Sequence, residues 1–191
     1  MKKKILLIGV GNIGYRHLQS LANLKFDEID CLEKNRIKIK KFKKIFIKNK
    51  NINFLNIINN LKKKYDIAID ATTSISRFRI LTTIMKKSKI RKLLIEKFLF
   101  QNYSQYYKFE KMIKTNKIES YVNCPMRTYK AFSFIKKKIH KKIFFIRITG
   151  SNWNMCSNSI HYLDLFNYFD DNFYKYTAVS FLKNQIKKSK R

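Results

Sequence analysis

"KILLIGVGNIGYRH", residues 4–17, places three of the chain's four glycines within six positions, directly after an apolar run and directly before a helical pattern. Gly9, Gly11 and Gly14 form a G-x-G-x-x-G fingerprint. At a strand-to-helix turn the first glycine allows the tight bend, the second lets a pyrophosphate approach the backbone, and the third lets helix pack on strand. Asn12 and Ile13 would then open a helix whose free N–H groups and dipole favour an anion. The basic start Met1-Lys2-Lys3-Lys4 before apolar residues also has the look of a secretory leader. The apolar stretch 5–10 is broken by Asn12 and Arg16, and no small-x-small cleavage site follows, so the expectation is a folded segment.

Outward from the fingerprint the chain alternates. Residues 4–9 read as an apolar strand, and 13–24 as a helix with Ile13, His17, Leu18, Leu21 and Leu24 at helical spacing. A strand at 28–33 follows, then a basic helix at 36–46 with Ile37, Ile39, Phe42 and Ile45 partly buried under a lysine face. A brief helix at 57–64 feeds a strand at 65–72. Helix 76–87, strand 92–95, helix 103–115 and strand 118–122 complete the series. This β-α order predicts an α/β fold, a Rossmann-type doubly wound parallel sheet over residues 1–122. Glu33 closes the second strand 19 residues beyond Gly14, near the offset of a carboxylate that accepts from ribose hydroxyls. The expected cofactor is NAD, because Glu33 would meet the 2′-phosphate of NADP with like charge; Lys34 and Arg36 leave NADP open.

Four stretches in order, "GVGNIGYRH", "DIAIDATTSISR", "LLIEKF" and "SNSIHYLDL", resemble the landmarks of the Gfo/Idh/MocA family of nicotinamide-dependent oxidoreductases, which act mostly on sugars, polyols and nucleotide sugars. The resemblance runs to about Phe169. It implies that Thr72-Thr73-Ser74 lies near the nicotinamide ribose, and that Glu96-Lys97 is the counterpart of a Glu-Lys-Pro motif with Phe98 in place of proline. It makes Glu96 and Lys97 cofactor-side residues, Lys97 and His161 the catalytic pair, and Arg127 and Asp164 substrate-binding, with Tyr162 or Asp164 in support of the proton relay; Arg127 reads equally as a residue that ties domains by ion pairing. "NCPMR", residues 123–127, is similar to the crossing into the second domain. The family's aspartate four residues before the histidine is Ser157 here, which leaves His161 without an orienting carboxylate.

The second domain reads as incomplete. Residues 123–180 offer a crossing helix at 129–140, a strand at 142–149 and the His161 helix; 181–191 is a basic tail. Most of the family's second sheet has no residues to build it, so the expectation is a truncated relative, or one completed by association with a second copy or a complementing chain. Trp153 and the aromatic series 166–176 read as core or interface.

Composition sets the limits. Hydrophobic residues make up 45% and aromatics 15% of the 191, which excludes a disordered tail. No stretch reaches the roughly 18 apolar residues of a membrane helix. Cys31, Cys124 and Cys156 stand far apart without a CxxC pair, which argues against a disulfide framework or a metal site and fits a reducing cytoplasm. The net charge of +31 suggests a polyanion partner, yet arginine supplies only 8 of the 43 basic residues and the lysines are scattered among Ile, Asn, Phe and Tyr. That mixture reads as A/T-rich codon bias, so no specific nucleic acid and no membrane partner is expected, and a small sugar-like substrate is. A catalytically silent nucleotide-binding remnant and a basic nucleic-acid binder stay as the alternatives.

Overall fold

Ile5, Leu6, Leu7 and Ile8 are consecutive and all buried, as a strand covered on both faces requires. They belong to β1 (Lys4–Ile8), the centre of the fold in the computed structural model, which describes residues 3–24, 26–139, 146–149 and 155–170, at 155–157 by backbone alone. The chain divides into two compact units, Met1–Asn123 and Cys124–Arg191.

In the first unit β1 is followed by α1 (Asn12–Ala22), β2 (Glu28–Leu32), α2 (Arg36–Ile45), β3 (Ile52–Leu55), β4 (Lys64–Asp70), α3 (Ser74–Lys87), β5 (Lys89–Ile95), α4 (Tyr103–Thr115) and β6 (Glu119–Val122). The six strands form one sheet in the order β3-β2-β1-β4-β5-β6, and every neighbouring pair is parallel. The strand order reverses between β1 and β4, earlier strands lying to one side and later ones to the other, and this is the switch point at which such sheets open a ligand crevice. Alternate side chains of β1 feed two cores. Ile5 and Leu7 pack with Leu18 and Leu21 of α1 and Phe42 of α2. Leu6 and Ile8 pack with Leu81 and Ile84 of α3 and Phe109 of α4. This is the Rossmann-type sheet that the alternation predicts.

Three local expectations are corrected. Ile13 and Leu24 are exposed: α1 buries Gly14, Leu18 and Leu21, packs Tyr15 and Ala22 partly against the same core, and ends at Ala22, before Leu24. On α2 the core takes Ile39 and Phe42, while Ile37 at 79% and Ile45 at 48% exposure stay outside among the lysines. The helix read at 57–64 is a single 3-10 turn, Ile58–Asn60, and β3, a half-buried four-residue edge strand, precedes it. The Lys62 N–H donates to the Tyr65 hydroxyl at 3.0 Å and that hydroxyl donates to Asp30 Oδ2 at 2.8 Å, so the chain is drawn back to the sheet before a helix can continue.

The second unit contains a 3-10 turn, Pro125–Thr128, then α5 (Lys130–Lys138) and α6 (Met155–Phe169). Phe132 of α5 and Phe169 of α6 stand edge to face, ring centroids 6.3 Å apart. Of the strand expected at 142–149, residues 146–149 are not in a strand, and 142–145 lie outside the described residues, as do Trp153 and the tail 181–191. Among the described residues no helix is long and apolar enough to cross a membrane, and no group of His, Cys, Asp and Glu is placed to hold a metal ion.

Candidate active site

The residue after each of five strands sits on one rim of the sheet. Gly9 N–H donates to Leu32 O, Glu33 to Leu55 O, Ala71 to Ile8 O and Glu96 to Asp70 O, all at 2.9 Å, and Asn123 to Ile95 O at 2.8 Å. Parallel pairing continues one residue past the strand ends. The glycine turn, Glu33, the Thr72-Thr73 turn and Glu96-Lys97 therefore share the carboxyl rim, where open parallel sheets hold their ligands.

The three glycines do three different things. Gly9 has φ +81°, in the left-handed region that disfavours a side chain, and a Cβ there would also stand 3.0 Å from Thr72 Cγ2. A Cβ on Gly14 would lie 1.9 Å from Gly9 O, so α1 can pack on the turn only without one. A Cβ on Gly11 meets nothing within 4 Å, which leaves clear space in front of the helix opened by Asn12 and Ile13. These residues fit a pyrophosphate. Glu33, almost fully buried, accepts from Val10 N–H at 2.9 Å through one oxygen and from Asn35 N–H at 3.0 Å through the other. Each carboxylate oxygen has a second lone pair, so the braced Glu33 can still accept from a hydroxyl. Asn35 in turn caps α2, its Oδ1 accepting from Ile37 and Lys38 N–H.

Past β4, Thr72 donates to Asp70 Oδ1 from its hydroxyl at 2.7 Å and from its N–H at 3.0 Å. Thr73 is exposed and caps α3 by position, its hydroxyl meeting the Ser76 hydroxyl at 3.3 Å without bonding the helix backbone. Asp70 and Arg77 form an ion pair, Nε to Oδ2 at 2.7 Å, with both side chains essentially sealed from solvent. The rest of the guanidinium donates to the carbonyls of Thr72, Glu96, Phe98 and Leu99. One side chain of α3 therefore clamps both loops of the rim. Burial pushes the Asp70 carboxyl up, and the Arg77 charge and the Thr72 bonds oppose it.

Glu96 is buried beside half-buried Lys97, and the Lys97–Phe98 peptide is cis. Glu96 Oε1 lies 2.8 Å from His17 Nε2 and accepts from Asn123 Nδ2 at 2.6 Å. Burial alone would raise this carboxyl; the bonds from His17 and Asn123, with the charges of His17 and Arg77, outweigh it and hold it below the usual carboxylate value.

The remaining site expectations fall in the second unit. Arg127 and Asp164, both expected to meet substrate, meet each other through a two-point ion pair in which Nε reaches Oδ2 at 2.9 Å. His161 and Tyr162 are half-buried on α6, and Ser157 lies in the same helix one turn earlier. Sequence reasoning missed His17, Asp70, Arg77 and Asn123 as site residues. Three of the four carried a signal: His17 and Arg77 close two of the landmark stretches, and Asp70 is a charge inside an apolar strand.

A parallel sheet in the order 3-2-1-4-5-6, with a glycine turn, a braced acid and a lysine on its carboxyl rim, defines a Rossmann-type domain. No family model and no curated protein sequence matches the chain. Solved structures do, among them dehydrogenases of the Gfo/Idh/MocA type. Scyllo-inositol dehydrogenase from Lactobacillus casei, with bound cofactor NAD(H) and scyllo-inositol, matches at 13% identity and a TM-score of 0.69, over 88% of this chain and 56% of that one. The dehydrogenase MviM from Clostridium difficile matches at 16% identity and a TM-score of 0.70, over 90% and 58%. A super-repressor mutant of Gal80p from Saccharomyces cerevisiae matches at 12% identity and a TM-score of 0.61, over 73% and 38%. The chain has the fold of these proteins and spans little more than half the length of the two dehydrogenases.

Proposed function

We propose that the chain binds a nicotinamide dinucleotide along the carboxyl rim, NAD in preference to NADP. In this reading it is an oxidoreductase of the Gfo/Idh/MocA type acting on a hydroxyl carbon of a sugar, polyol or nucleotide sugar. The observation that carries the reading is the meeting on one rim of the clear space at Gly11, the braced Glu33 and the Glu96-Lys97 strand end. Gly9, Gly11, Asn12, Ile13 and Gly14 would hold the pyrophosphate through backbone N–H groups, Glu33 the ribose hydroxyls, and Thr72 and Thr73 the nicotinamide side. When bound, the nicotinamide supplies or accepts the hydride. Lys97 Nζ donates a hydrogen bond to the reacting oxygen and exchanges its proton with it. His161 enters as the second proton-handling group, and Arg127 and Asp164 as substrate contacts, through the sequence resemblance.

The test begins with an NADH fluorescence titration. Gly11→Val puts a side chain into the clear space at a position with φ −75°, so it should fold normally and lose about fiftyfold or more in affinity. Equal affinity for both proteins would refute the nucleotide site. Lys97→Ala should then cut turnover on a responsive sugar by about a hundredfold while leaving NADH affinity nearly unchanged.

A second reading, a dinucleotide binder without turnover, is favoured by Ser157 in place of the family's aspartate and by the Gal80p super-repressor mutant, whose structure shares this fold. A sugar panel distinguishes the two. Turnover that rises in Ser157→Asp supports a weakened enzyme; NADH binding without turnover in either protein supports the silent binder.

A further inference from the structure

We propose that His17 is a positioning residue that couples the dinucleotide helix to Lys97; the proposal rests on the reading of Lys97 given above. His17 stands on α1 one turn past Gly14 and one turn before Leu21, partly buried at the edge of the inward face, and its ring meets the Glu96 carboxylate at 2.8 Å. Asn123, one residue past β6, holds the same oxygen at 2.6 Å. A buried carboxylate needs such donors, and these two come from α1 and from the end of β6, so three rim segments are joined through one oxygen.

Lys97 is the next residue in the chain. Its preceding residue is fixed three times, by the side-chain bonds of Glu96, by the Glu96 N–H to Asp70 O, and by the Glu96 carbonyl to Arg77. Its following residue is fixed by the Phe98 carbonyl, also to Arg77. Arg77 reaches only the backbone here. The link from this segment to the helix behind the glycine turn is made by His17 through Glu96. A ligand seated on the N-terminus of α1 therefore has a defined distance to the base of the lysine, which an aliphatic stem of four rotatable bonds would otherwise blur.

The experiment follows the acylation of Lys97 by a small amine-reactive reagent, resolved by peptide mass spectrometry, with and without saturating NADH and with exposed Lys108 as the internal reference. In the wild-type chain NADH should slow Lys97 labelling at least about fivefold and leave Lys108 unchanged. His17→Phe keeps a ring and removes the bond; NADH should bind within about threefold of wild type, yet protect Lys97 less than about twofold. His17→Gln, which can donate to Glu96 again, should restore the protection. Asn123→Ala removes the other donor and gives the same loss if His17→Phe does not fold. Full protection in His17→Phe or Asn123→Ala would overturn the coupling while leaving the Lys97 reading intact. Bound NADH that fails to protect Lys97 in the wild type would overturn the Lys97 reading itself.

Discussion

Glu96 is held by two donors from distant parts of the chain, and its pH behaviour follows from them. Its folded-state pKa lies below the ordinary value of 4.5, so between the two values the native state binds fewer protons than the unfolded one. The stability it contributes is full above 4.5 and is lost as pH falls through the lower, folded value. Asn123→Ala removes one cause of the depression. The fall in urea midpoint between about pH 6 and about pH 4 should be smaller in that variant than in wild type, and an unchanged or larger fall would show that Glu96 is not the group responsible. Comparing the variant with wild type cancels the contribution of Asp70 that both share. At this scale the glycine turn was legible in the sequence because its requirement is local: only glycine accepts φ +81° at position 9, and only glycine lets Gly9 O come so close at position 14. The His17–Glu96 bond was not legible. Its partners are 79 residues apart, and nothing near a histidine on an amphipathic helix says which strand end it will face.

At the scale of elements, the parallel strands read well where burial on both faces makes them continuously apolar, as in β1. β3 was missed for the converse reason. Ile52–Leu55 is a short edge strand with no buried residue, set among asparagines and lysines, and its pairing to β2 is a tertiary fact. α3 was legible as a helix but not as a clamp. Arg77 sits among Leu81 and Ile84 on its buried side, the last place where composition suggests a charge. Arg77→Met would leave Asp70 sealed without its partner and four carbonyls without a donor, so it should lower stability by about 3–5 kcal/mol in urea denaturation. Arg77→Lys should recover little of this, since an ammonium cannot match the guanidinium fork. Adding Asp70→Asn to Arg77→Met should cost less than the two single changes together. Strict additivity would mean that the two groups do not depend on each other.

For the whole molecule, the charge of +31 has a place in the fold. On α2, Ile39 and Phe42 face the core while Lys38, Lys40, Lys41, Lys43 and Lys44 face solvent, and the acid at the head of the helix, Glu33, is turned toward the glycine loop. Such a face attracts any polyanion without reading its sequence. Duplex DNA should bind weakly and without sequence preference, and lose at least about a hundredfold in affinity between about 50 and 200 mM salt. Sequence-selective binding that persists at about 150 mM salt would reverse this reading of the lysines. The second unit was the least legible part. Its two helices emerged, but the Arg127–Asp164 pair joins two residues expected to meet a ligand, and opposite charges 37 positions apart gave no sign in the sequence that they would neutralise each other.

The five N–H groups that seat Gly9, Glu33, Ala71, Glu96 and Asn123 on the rim belong to the backbone, and every amino acid but proline has one. Gly9 apart, whose backbone conformation disfavours any side chain, the outline of the crevice is thus indifferent to most changes of side chain at these positions. Chemistry can be exchanged along the rim during descent while the seats stay in register, and proline is the one newcomer that all five would refuse for the same cause. Chains of this architecture that are only 12–16% identical still superpose, as the solved structures do.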